Sequence, residues 1–68
     1  MNGDEFVRRV RKLGRGSDIK VAWKKTRGKG SHGALYYGRA KTTVKHGEIS
    51  EPLLRDMCKQ LGIDRRDL

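Results

Sequence analysis

The chain has 68 residues, with 17 Lys and Arg against 8 Asp and Glu, for a formal net charge of +9 at pH 7. A chain of this size buries only about 60% of the surface its unfolded state exposes, so a single domain over residues 1–68 is expected, with no large substrate cleft or sizeable cofactor pocket. No apolar run approaches the roughly 20 residues of a membrane span, and the N-terminus lacks the apolar stretch of a secretory signal; a soluble, cytoplasmic protein is expected.

Phe6, Val7, Val10 and Leu13 recur at helical spacing behind Asp4 and Glu5, which predicts a first helix over about residues 4–13 with Gly14 as its stop. The polar side of this helix, Arg8, Arg9, Arg11 and Lys12, is basic. Ile19, Val21 and Trp23 then alternate with Lys20, Ala22 and Lys24, the period of a half-buried strand. Residues 27–31 read as a flexible basic turn. A second strand follows over 34–37, with Leu35 and Tyr37 on one face and Tyr36 on the other. Gly38 and Arg39 permit a tight return into a third strand over 40–45, where Ala40, Thr42 and Val44 alternate with Lys41, Thr43 and Lys45. Ser50 stands at an N-cap position before Glu51 and Pro52. Leu53, Leu54, Met57, Cys58 and Leu61 form the stripe of a second helix that Gly62 ends, and residues 63–68 can add a short capped turn. Two helices with one apolar stripe each and a three-stranded antiparallel meander give an α+β fold, α-β-β-β-α, with both helices on one sheet face and the other face open.

Between Arg8 and Lys45 stand 13 Lys and Arg and one acid, Asp18, while the flanks are slightly acidic. A one-sign block of this kind gathers polyanions by releasing their counterions. Nucleic acid is the expected partner. A disordered arm or an amphipathic lipid-surface segment would share the charge, but a solvated arm would not need the hydrophobic periodicity that runs through the same block.

Residues 28–33 match G-x-G-x-x-G, yet a strand follows them where a dinucleotide fold requires a helix, and no P-loop pattern is present. His32 opens the second strand, with Arg27, Lys29 and Ser31 just upstream. Imidazole titrates close to neutral pH. It can therefore serve as the base that activates a 2′-hydroxyl, while cations stabilise the charge developing on phosphate. From spacing alone, an ordinary surface or phosphate-contacting histidine is the favoured reading. Tyr36 is placed either to stack on a base or to pack on the solvent side. Lys41 and Lys45 share its face, and His46 follows at the strand end as a structural, RNA-contacting or assisting residue. Trp23 belongs by phase to the core, and Cys58, the only cysteine, reads as a small buried hydrophobe. With His32 and His46 it completes neither a zinc set nor a disulfide, so no metal or other cofactor is expected.

Three blocks in order resemble the HicA mRNA interferase toxins of bacterial toxin-antitoxin pairs. They are Lys29-Gly30-Ser31-His32, Thr42-Thr43-Val44 followed by His46-Gly47, and the closing run from Leu53 to Ile63, behind an amphipathic first helix. The resemblance implies a double-stranded-RNA-binding-like fold and ribosome-independent, metal-free cleavage of mRNA by the Gly-Ser-His histidine, here His32. It also implies a HicB-like antitoxin as partner in a hetero-oligomeric complex. The chain departs from the family at Gly33, where members often carry a second histidine, at Lys45, where they carry proline, and in a longer segment between Gly14 and Gly30. A non-catalytic RNA- or DNA-binding module, or a ribosomal or nucleoid accessory protein, are the alternatives from another class.

Overall fold

The structure, a computed structural model, describes residues 1–25 and 32–68. Helix α1 spans Gly3–Gly16, followed by strands β1 (Val21–Lys25), β2 (His32–Tyr37) and β3 (Ala40–Lys45), helix α2 (Glu51–Leu61) and a 3-10 turn over Arg65–Asp67. The strands form an antiparallel sheet in the order β1-β2-β3. Both helices pack on the same face, so the α+β, α-β-β-β-α arrangement expected from the periodicities is the one observed.

One core joins the layers. Phe6 and Val10 from α1 meet Leu35, Tyr37 and Val44 from the sheet and Leu54, Met57, Cys58 and Leu61 from α2, with Ile49 from the connection between β3 and α2. Thr42, the one buried polar residue among those described, donates its hydroxyl to Gln60 Oε1 at 2.6 Å and so ties β3 to α2. The last turn of α2 closes as a Schellman motif on Gly62 at φ 72°, where the Ile63 amide donates to the Cys58 carbonyl at 3.0 Å and the Gly62 amide to Lys59 at 3.1 Å.

Three expectations need correction. Gly14 does not stop the first helix, which continues two residues further to Gly16. Its missing side chain lets α1 sit down on the sheet instead: a Cβ at Gly14 would come within 2.4 Å of Val21 Cγ2 and 2.8 Å of the Ile19 carbonyl oxygen. Leu53 is exposed, because α2 presents Leu54, Met57, Cys58 and Leu61 to the core. Ser50 holds the N-cap position without a side-chain capping bond. The cap that does form is on α1, where Asn2 Oδ1 accepts from the Glu5 amide at 2.8 Å.

The start of α1 is pinned to the segment after β3. The Gly3 amide donates to the Gly47 carbonyl and the Ile49 amide to the Met1 carbonyl, both at 2.9 Å, around a bridge between Asn2 and Glu48. No helix among the described residues is long and apolar enough to cross a membrane.

Candidate nucleic-acid interface

Strand alternation sends Leu35, Tyr37, Thr42 and Val44 inward. It sends Ala22 and Lys24 of β1, His32, Ala34 and Tyr36 of β2, and Lys41, Thr43 and Lys45 of β3 to the face that no helix covers. The register arranges them in rows. Ala22, Tyr36 and Lys41 stand side by side, then Lys24, Ala34 and Thr43, and at the end of the sheet His32 stands opposite Lys45. Side chains directly opposite on an antiparallel pair have Cβ atoms about 5 Å apart, so the imidazole and the Lys45 ammonium can address one phosphate together. These positions include no acid. Lys24 Nζ lies 5.8 Å from the Tyr36 ring centroid, a cation over an aromatic face.

His32, Tyr36, Lys41 and Lys45 are therefore brought onto one surface, as the alternation predicts. Lys24 belongs with them, and its phase with Lys20 and Ala22 in the sequence pointed that way. His46 goes elsewhere. The next residue along from Lys45, it turns to the helix side, where its Nδ1 lies 3.9 Å from Asp4 Oδ1 at the start of α1. Arg27, Lys29 and Ser31 lie outside the described residues.

The residue after His32 is packed tightly against β1. Gly33 is buried on the helix side, and a Cβ there would come within 2.4 Å of Trp23 Cη2 and 3.0 Å of the Lys24 carbonyl oxygen. The indole thus occupies the space that any side chain at position 33 would need, which accounts for glycine following the histidine in this chain. Trp23 is half-buried against the core, as its phase predicts.

The basic side chains of α1 are on the other side of the molecule. Arg8, Arg11, Lys12 and Arg15 are exposed on the outer side of α1, with the helix layer and the sheet between them and the open face. Arg9 bonds to Glu5 Oε1 at 2.8 Å and to the Leu68 carbonyl at 2.7 Å. It forms one wall of an open groove of about 780 Å³ with Arg8, Lys12, Asp67 and Leu68. Among the described residues, the basic side chains of α1 and those of the open sheet face form two separate surfaces.

Cys58 is buried, and desolvation there pushes its thiol pKa up, which keeps it protonated and non-nucleophilic at neutral pH. Among the described residues, no three His, Cys, Asp or Glu side chains gather in a way that could hold a metal ion. No family model, curated protein or solved structure matches this chain.

Proposed function

We propose that this protein is a HicA-like toxin of a bacterial type II toxin-antitoxin pair, a ribosome-independent mRNA interferase whose catalytic residue is His32. The observation that carries this reading is the pairing of His32 with Lys45 at the end of an acid-free sheet face that neither helix covers. The neutral imidazole takes the proton of a ribose 2′-hydroxyl, and the freed oxygen attacks the adjacent phosphorus. The P–O5′ bond breaks, the leaving 5′-oxygen gains a proton from water, and the products are a 2′,3′-cyclic phosphate and a 5′-hydroxyl end. Lys45 stabilises the charge that accumulates on the phosphoryl oxygens. Lys24 and Lys41 hold neighbouring phosphates. Arg27, Lys29 and Ser31 enter the proposal from the sequence, as the basic segment that leads into His32.

The partner in this reading is an antitoxin that silences cleavage by covering the open face, in a hetero-oligomeric complex. The decisive experiment is cleavage of labelled RNA by purified wild type and His32→Ala, each with and without EDTA. General acid–base catalysis by one side chain contributes on the order of 100-fold or more, so His32→Ala should slow cleavage at least that much, and EDTA should leave the wild-type rate unchanged. A variant that cuts at the wild-type rate overturns the assignment. RNA that is bound in a salt-sensitive way but left intact by wild type identifies a non-catalytic binding module instead.

A further inference from the structure

Tyr36 is the only aromatic residue on the open face among the described residues, and it stands on the central strand in the row farthest from His32. Its neighbours across the strands are Ala22 and Lys41, and the next residue on its own side of β2 is Ala34. The ring therefore rises from a floor of methyl groups with cations on two sides, Lys41 from β3 and Lys24, whose ammonium lies 5.8 Å from the centroid. Both alanines and the tyrosine are half-buried, while the lysines are exposed. Such a ring offers a flat surface to an incoming base and two ammonium groups to the phosphates on either side of it.

Its distance from His32 adds a measure. The two residues are four apart on the same face of β2, and at about 3.3 Å per residue their Cα atoms are separated by roughly 13 Å. That is longer than the reach from a base to its own phosphate. A base lying on Tyr36 therefore belongs to a nucleotide one or two positions away from the phosphate at His32.

We infer that Tyr36 is a base-stacking subsite for single-stranded RNA that fixes where His32 cuts relative to the base it holds. This inference deepens the cleavage reading and rests on it. Base stacking on an aromatic side chain tolerates any sequence but needs a base with an exposed face. In an A-form duplex the bases are stacked on one another, so paired stems escape while loops and extended strands are taken.

The test has two arms. The first measures binding of a short single-stranded RNA to His32→Ala protein, with Tyr36→Leu or Tyr36→Phe added, thermal melting confirming that each variant is folded. Tyr36→Leu should bind about 5- to 150-fold more weakly, Tyr36→Phe should bind as the parent does, and the same sequence as a duplex should show no dependence on position 36. Equal binding by the Leu variant overturns the subsite whether or not the protein cleaves RNA. The second arm uses protein with His32 intact on RNAs carrying one abasic residue at successive positions. Wild type should lose cleavage when the abasic position lies one or two nucleotides from the cut, and Tyr36→Leu should be indifferent to it and cut at more positions. An abasic effect that is identical in both proteins overturns the inference. Failure of the catalytic reading shows separately, as equal cleavage by wild type and His32→Ala.

Discussion

Replacing Gly14 by alanine puts a methyl group where α1 crosses the sheet edge. The new carbon would lie 2.4 Å from Val21 Cγ2, more than 1 Å inside the ordinary carbon contact of about 3.5–4.0 Å, and 2.8 Å from the Ile19 carbonyl oxygen. The carbonyl cannot swing away, because the Ile19 amide donates to the Gly14 carbonyl at 2.8 Å and holds the chain at this spacing. Overpacking of this kind costs about 1–3 kcal/mol, and a backbone obstacle points to the upper end. Alanine returns up to about 1 kcal/mol as the better helix former, which leaves a net loss of about 2 kcal/mol. For a domain of this size that is a fall of roughly 10 °C in Tm. Gly16→Ala is the control. Nothing lies within 4 Å of a Cβ there, so the same substitution two residues further along the helix should gain about 0.5 kcal/mol. Thermal and urea melts of the two variants should move in opposite directions. A Gly14→Ala protein as stable as the parent, or more so, refutes the close approach as the reason for glycine.

Gly33→Ala should destabilise by about 1–2 kcal/mol through the Trp23 indole, and adding Trp23→Leu should recover part of that loss in a double-mutant cycle, because the two changes share one space; additive losses would show that the two positions do not compete. Binding of single-stranded RNA to His32→Ala protein, titrated against salt, should lose about 0.7 in log–log slope for each of Lys24→Ala, Lys41→Ala and Lys45→Ala. Arg8→Ala and Arg11→Ala, on the far side of the molecule, should leave the slope as it is, and an equal fall in all five variants would put the strand across both surfaces.

The element order and the two sheet faces were legible because each depends on a short-range pattern. Alternation along β3 separates Thr42 and Val44 from Lys41, Thr43 and Lys45 whatever the rest of the fold does. The same reasoning put Tyr36 and Tyr37 on opposite faces and Cys58 in the core. What was misread depends on contacts distant in sequence. Gly14 carries the composition of a helix stop, and only its closeness to Val21 and Ile19 reveals that it is a point of contact. Leu53 has the spacing of a core residue, and only the position of α2 on the sheet decides that the core ends at Leu54. His46 was open between a structural, an RNA-contacting and an assisting role, and only its contact with Asp4, some forty residues earlier, shows which way it turns. The capping of α1 by Asn2 had a visible signal, an asparagine three residues before Glu5, that the acidic first turn concealed.

The division of the positive charge between two sides of a thin molecule separates two properties that a smaller basic patch would keep together. A protein partner seated on the open sheet face covers His32, Tyr36 and the three lysines, and leaves Arg8, Arg11, Lys12 and Arg15 of α1 in solvent. On the proposed reading, such a complex would be silent as a nuclease and still present a basic helix face, so that blocking cleavage would not by itself detach the protein from the nucleic acids around it.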